Sequence, residues 1–375
     1  MTNYLFYFLL SGLVALAFTP AVKRLAVRLG CVDAPGQARK IHKNPIPLLG
    51  GIAVFLPTLL VAFLYAINGG WDFTVVPHRF AIGILAGGTT LMLGGFLDDK
   101  YVLPAKITWL FPATAAALVI FSGVGVGITS LTNPFGGNLL LTGKILGIQA
   151  SAIFVWFWIM GMTYTTKLLD GLDGLAAGVS LIGGLVMFAL SLTAKINQPI
   201  TATLAIIFVG SLAGYLVYAF NPASIFLGEG GSTFLGFFLS VLAVLTGAKI
   251  ATAVLVMGIP ILDVGWAIVR RTLRGRSPFS ADREHLHFLL LDAGLTQRQA
   301  VCVYYGLAAG FGFVAVFLQS MGKLIALVIL VCVMLSMAIT TVILYKRKHP
   351  HIPDLFEYLP AGRQVQEKKG IDEKM

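Results

Sequence analysis

Eleven long apolar runs, separated by short polar segments, dominate this sequence. They lie near residues 4–21, 48–68, 79–97, 105–128, 148–166, 175–195, 201–220, 233–247, 250–269, 300–318 and 324–345. Such runs cross a bilayer as helices, because a helix satisfies its own backbone hydrogen bonds where no water is available. A soluble fold fails on composition. Hydrophobic residues make up 57% of the chain and charged residues only 11%, about half the share of an ordinary soluble domain. The expected fold is an all-α integral membrane protein of about eleven transmembrane helices. The first run starts at Tyr4 with no basic stretch before it and no small-residue cleavage site after it, so it reads as a retained helix.

The net charge of +11 raises the question of nucleic acid. The basic residues, however, sit in short loops beside the apolar runs, which is the positive-inside pattern, and no nucleic-acid partner is expected. With the N-terminus outside, 22 of the 27 Lys and Arg fall on the inner side. The outer side keeps Arg79, Lys144, Lys195, Lys249 and Lys323. That bias puts the C-terminus in the cytoplasm. It divides the chain into a membrane body, 1–345, and a charged cytoplasmic tail, 346–375. The three cysteines show no CxxC or Cys/His spacing and read as reduced structural thiols. The outer loop Asn133–Gly147, with Pro and Gly-Gly flanking short apolar stretches, reads as a small hairpin.

The acidic residues are more telling. In this topology only Asp72 of the sixteen faces outward. Asp98, Asp99, Asp170, Asp173 and Glu229 stand at the inner mouths of helices, and Asp263 lies within the ninth run. An acid at a helix centre costs about 2.5–3.5 kcal/mol to insert, and clustered carboxylates add repulsion. A cation relieves both. Mg²⁺ suits such a place, because it takes one or two carboxylates and fills its octahedron with water and substrate phosphates. Asp98-Asp99 taken alone reads equally well as a solvated helix end. Asp170 and Asp173, three apart in LLDGLDG, share one face of a helical turn, and their glycines admit close backbone approach; a plain turn is the other reading. Glu229 in LGEGGST, with hydroxyls at a helix start, reads as a metal and phosphate cradle or as an ordinary Gly-rich turn. Asp263 is either functional or paired with Arg270 or Arg271.

Basic residues surround these acids on the same membrane face. The first inner loop, DAPGQARKIHKNPIPLLGG, carries Arg39, Lys40, His42 and Lys43 between stiffening prolines, suited to phosphate or to lipid headgroups. The loop after the ninth run holds Arg270, Arg271, Arg274, Arg276, Arg283, His285 and His287. The two histidines are two apart, the wrong spacing for one helix face. They are expected to donate to phosphate or sugar oxygens more than to bind metal. Acids with a divalent ion, ringed by cations, are what phosphoryl transfer requires.

The order and spacing of DAPGQARKIHKNPIPLLGG, LGGFLDDK, LLDGLDGLA, FNPASIFLGEGGSTFLG, PILDVGWAIVRR and DREHLH resemble the polyprenyl-phosphate N-acetylhexosamine-1-phosphate transferases over about residues 30–290. The resemblance implies transfer of a sugar-1-phosphate from a UDP-sugar to undecaprenyl phosphate at the cytoplasmic face of the cell membrane. Mg²⁺ or Mn²⁺ would be the cofactor and UMP the released product. The first loop and the HxH loop look like the branch using UDP-N-acetylglucosamine, with the muramoyl-pentapeptide branch as alternative. Relatives often dimerise, so a homodimer is admitted. By resemblance, Asp98 and Asp99 supply the base for the lipid phosphate and a second holding group. Asp170 and Asp173 lie near the nucleotide-sugar, and Glu229, with Asp173, takes the metal. Asn221 matches the FNP asparagine. Arg283, His285 and His287 match the loop that covers sugar and diphosphate, while Arg39, Lys40, His42 and Lys167 complete the substrate contacts.

Three positions depart from the family pattern. Tyr164-x-x-Lys167 replaces NxxN, and a protonated Lys cannot ligate Mg²⁺. Glu229 replaces Asp, followed by Gly230 where Ser or Thr is usual, and Phe288 replaces a third His. Lys167 is expected to bring positive charge to the diphosphate while the longer Glu229 keeps the metal. Two other classes stay open. A transporter would place its acids near the midplane in repeated halves, and no repeat is visible. A non-catalytic scaffold would follow from Lys167 and Phe288.

Overall fold

The computed structural model describes residues 3–35, 44–133, 135–145, 147–247, 250–273, 275 and 285–348. Helices make up most of it. In chain order, α1 (Tyr4–Leu29) and α2 (Gly50–Tyr65, prolonged by a π turn over Ala66–Gly70) lead to α3 (His78–Tyr101). Then come the short α4 (Ala105–Thr108), α5 (Leu110–Phe121), α6 (Ala150–Leu169), α7 (Leu175–Ser191) and α8 (Pro199–Ala219). The last six are α9 (Gly228–Leu245), α10 (Ile250–Val256), α11 (Gly258–Leu273), α12 (Leu286–Asp292), α13 (Gln297–Phe317) and α14 (Ser320–Lys348). Eight helices among the described residues are long and apolar enough to cross a membrane.

Each expected run coincides with helical structure, with four local differences. The ninth run is not one rod. It divides into α10 and α11, bent by 81°. Pro260, in the first turn of α11, has no N–H to give the Val256 carbonyl, so the ladder is interrupted at that point. The run 105–128 stops as helix at Phe121, because Gly123 and Gly125 take φ of +100° and +78°. The helix of the eighth run, α9, starts at Gly228, five residues before the expected 233, which brings Glu229 into its first turn. Past the expected end at 345, α14 continues to Lys348; the rest of the expected tail lies outside the described residues.

The helices are layered around α8 and α9, which are 83% buried over their most apolar windows, against 22% for α1 and α14. Phe208 of α8 meets Phe234 and Phe238 of α9, with ring centroids 4.8–6.2 Å apart, and Phe55 of α2 adds an edge contact to Phe234 at 5.1 Å. One turn from these rings, α2, α3 and α9 close to backbone contact. A β-carbon on Gly51 would run into Gly231, and one on Gly95 into Gly230. Small residues at such crossings let helices pack in lipid without a hydrophobic driving force.

Three two-stranded hairpins punctuate the bundle. β1 (Val32–Asp33) pairs with β2 (Ile46–Pro47), clasping the basic first loop. The expected outer hairpin forms as β3 (Ser130–Thr132) with β4 (Asn138–Leu140), and β5 (Lys144–Ile145) pairs with β6 (Ile148–Gln149).

Candidate active site

The acids converge because three helix ends meet there. Asp98 and Asp99 lie in the last turn of α3, Asp170 and Asp173 in the α6–α7 loop, and Glu229 in the first turn of α9. Asp99 reaches across to α9. Its Oδ1 and Oδ2 accept from the Glu229 backbone N at 3.1 and 3.2 Å, capping a helix that has no side-chain cap of its own. A carboxylate at a helix N-terminus satisfies orphan N–H groups and meets the positive end of the dipole. Gly228 makes this possible, since a β-carbon there would strike the Asp99 carboxylate. Asp98 turns the other way. Its Oδ1 accepts from Leu103 N at 2.8 Å, and it lines a cleft with Lys167, Glu229, Gly94, Thr108 and Phe111.

Lys167, in the last turn of α6, places its Nζ 2.8 Å from Glu229 Oε2. Two of the positions that depart from the family pattern thus form an ion pair with each other, a contact the sequence reading did not include. The Lys167 ammonium feels the charges of Glu229, Asp98 and Asp99 together. Asp170 is half-buried in the loop that follows α6. Burial pushes its carboxyl up to about 8, and the charges of Glu229, Asp99 and Asp173 add to the rise. Asp173 is anchored instead: its Oδ2 accepts from Asn221 Nδ2 at 2.8 Å and from Ala223 N at 3.0 Å. The same Asn221 Nδ2 donates to Gln297 Oε1 at 2.7 Å, and Arg298 Nε donates to the Asn221 carbonyl at 3.0 Å. Gly174, at φ +77°, turns the chain into α7, and its carbonyl accepts from Tyr305 at 2.7 Å.

The histidines approach the same loop from another side. His285 is extended and caps α12, so the pair never has to share a helix face. Their rings stack instead, 5.7 Å apart and within 5° of parallel. His287 is 1% exposed and abuts Gly171, where a β-carbon would run into its Nε2. Neither ring nitrogen of His287 has a hydrogen-bond partner, and burial pushes its acid constant down to about 4, holding the imidazole neutral. Phe288 packs on the His287 ring at 4.3 Å.

Asp98, Asp99, Lys167, Asp170, Asp173, Asn221, Glu229, His285 and His287 therefore come together as expected from the sequence. Arg39, Lys40, His42 and Arg283 lie outside the described residues. The base of the first loop is nonetheless fixed: Phe226 N donates to Pro47 O, and Gly50 and Gly51 N donate to Phe226 and Leu227 O, tying that loop to the start of α9. One expectation is corrected. Ser232 and Thr233 do not open a cradle. With α9 starting at Gly228 they sit inside the helix, and their hydroxyls donate back to the carbonyls of Gly228, Glu229 and Gly230. Gln297 and the Asp263–His285 pairing were not foreseen. Asp263 meets His285 Nδ1 at 2.9 Å, a partner 22 residues away that no local pattern marks.

Among the described residues no three His, Cys, Asp or Glu side chains are grouped to hold a metal by themselves. The donor set still fits a hard cation that takes one or two carboxylates and completes its shell from water and phosphate, since half-buried Asp170 faces three like charges.

Helix ends that gather carboxylates and an ammonium beside a pair of stacked imidazoles form a polar site in an apolar, multi-pass helical bundle. The sequence comparisons give the family. The glycosyl transferase family 4 model matches residues 81–247. The probable undecaprenyl-phosphate N-acetylglucosaminyl 1-phosphate transferase of Bacillus subtilis is 34% identical over 340 residues, 88% of this chain and 89% of its own. The decaprenyl-phosphate N-acetylglucosaminephosphotransferase of Mycobacterium tuberculosis is 32% identical over 326 residues, 79% of this chain and 78% of its own. The chain belongs to glycosyl transferase family 4, among the polyprenyl-phosphate N-acetylhexosamine-1-phosphate transferases.

Proposed function

We propose that this protein transfers N-acetylglucosamine-1-phosphate from a UDP-sugar to a polyprenyl phosphate, undecaprenyl phosphate being the acceptor expected, at the cytoplasmic face of the cell membrane. The observation carrying this reading is the juxtaposition of the α3 and α9 acids with the α6–α7 loop, in a chain similar along most of its length to transferases of that name. An oxygen of the lipid phosphate attacks the sugar-bearing phosphorus, the diphosphate bridge breaks, and UMP leaves. One phosphoanhydride replaces another, so the step lies near balance.

Asp99 is committed to capping α9, which leaves Asp98, facing the cleft, to take the proton of the lipid phosphate. Lys167 neutralises phosphate oxygens beside Glu229. His287, neutral and unpaired above Gly171, donates to the nucleotide-sugar. Mg²⁺ or Mn²⁺, held by Glu229 and Asp173 with the substrate's own oxygens, would lower the charge on the transferring phosphoryl group. The eight long helices, the bent pair α10–α11 and the two shorter apolar helices, Ala105–Phe121 and Leu175–Ser191, serve as the eleven spans. The 22-to-5 distribution of Lys and Arg orients them with the site inside.

The test is transfer of labelled sugar-phosphate. Purified protein is given undecaprenyl phosphate, Mg²⁺ and a panel of UDP-sugars, beside Asp98→Asn. Lipid product with UDP-N-acetylglucosamine, dependent on metal and absent in the variant, supports the reading. No product from folded protein with any donor overturns it.

A further inference from the structure

We infer that Asp263 is a positioning residue: it fixes the ring of His285, and through it His287, over the Asp170–Gly174 loop. This rests on the transferase reading above for its consequence, though not for its geometry. Asp263 is 6% exposed in α11, just past the break in the ninth span. A carboxylate in that setting is costly unless its lone pairs are used. Both oxygens are used. Oδ2 lies 2.9 Å from His285 Nδ1, and Oδ1 accepts from Leu286 N at 2.9 Å. A carboxylate only accepts, so Nδ1 carries the hydrogen, and one tautomer of His285 is selected.

The consequence reaches the active site by contact. α12 has seven residues, too few to hold a helix by themselves, and the Asp263 bond secures its first turn. With His285 fixed, the parallel His287 ring is set against Gly171, between the acids of the α6–α7 loop. The two unpaired, fully buried nitrogens of His287 are what this arrangement delivers. An orphaned buried group is costly, and the cost is relieved when a ligand supplies the missing bond.

A plain helix cap would need only an acceptor for Leu286 N, and Asn supplies one. Asp263→Asn therefore separates the two roles, since its amide presents a donor where His285 Nδ1–H needs an acceptor. The full-length protein in nanodiscs, labelled with ¹⁵N-histidine, is compared with Asp263→Asn, His285→Ala and the double variant. Expected are an Nδ1-protonated His285 signal that changes in Asp263→Asn, and a kcat for sugar-phosphate transfer lowered about 10- to 100-fold, as when an outer partner of a working histidine is lost. The melting midpoint should be little changed. The double variant should be no slower than His285→Ala. An unchanged histidine spectrum in Asp263→Asn, wild-type kcat, or losses that multiply in the double variant would each overturn the inference. Should the wild type transfer nothing, the transferase reading falls, and the histidine spectra still decide whether Asp263 sets the ring.

Discussion

The two halves of this site are built in opposite ways. The acidic half stands on the ends of long helices, α3, α6 and α9, locked by backbone contact at Gly51–Gly231 and Gly95–Gly230 and by the Asp99 cap. The histidine half stands on a seven-residue helix whose start is secured by Asp263. Clustered carboxylates repel, so their positions must be imposed by rigid elements that would otherwise spread apart. The neutral His287 imidazole adds no such repulsion, and a short helix suffices to hold it. Rigidity is placed where charge must be confined, and the lighter support is used where a substrate has to enter.

The sharpest way to break that contrast is to attack the rigid half. Gly95→Val should prevent assembly outright, because its side chain would fall on the Gly230 backbone and neither helix can withdraw without uncovering its neighbours. Expected is loss of monodisperse protein on size exclusion after detergent extraction. Recovery of a well-folded variant with wild-type melting would show that the acidic half yields, and the comparison would fail.

Next in size is Lys167. Its ammonium balances Glu229 and, in the proposed reaction, neutralises substrate phosphate. Lys167→Asn should lower transfer by on the order of a hundredfold, the scale for removing one charge-stabilising donor. Its Mg²⁺ affinity, read by Mn²⁺ electron paramagnetic resonance, should not improve. If the variant gains both metal affinity and activity, the Lys167–Glu229 pairing is not a compensation, and the site works like that of relatives with Asn.

Much of this was legible in the sequence for a simple reason. Apolar length announces a span whatever its neighbours are, so every run became helical, and acids in an apolar chain announce a site. Two kinds of fact were hidden. Helix starts near glycine are masked because LGEGG looks like a turn, and that misplaced the role of Ser232 and Thr233. Long-range pairings leave no local trace. In the sequence Asp263 reads as functional or as paired with the nearby Arg270 or Arg271; the partner found, His285, becomes adjacent only once α11 has bent at Pro260 and the chain has returned.

A smaller effect sharpens the account of charge in the acidic half. The Asp170 carboxyl is raised from 3.8 to about 8. An acid raised on folding favours the folded state below its unfolded value and loses that advantage as pH climbs toward the folded one. In metal-free buffer the melting midpoint should therefore fall between about pH 4 and pH 8. Asp170→Asn should flatten that slope while leaving the acid end unchanged. A slope identical in both proteins would place the repulsion elsewhere in the cluster.

The smallest expected effect falls where the halves touch. Asn221 Nδ2 bridges Asp173 on the acidic side and Gln297 at the start of α13, the helix that follows the histidine segment. Asn221→Ala removes both bonds, but Asp173 keeps the Ala223 N–H, so its carboxylate is not orphaned. The loss should be about 1–2 kcal/mol, near the net worth of one or two hydrogen bonds to partly buried groups. Gln297→Ala should cost less, because it leaves the Asn221–Asp173 bond intact. If the halves communicate through this bridge, the double variant will be no less stable than Asn221→Ala, and both single variants will raise the KM for the UDP-sugar. Additive stability losses with an unchanged KM would mean that the acidic and histidine halves are positioned independently, each by its own anchor.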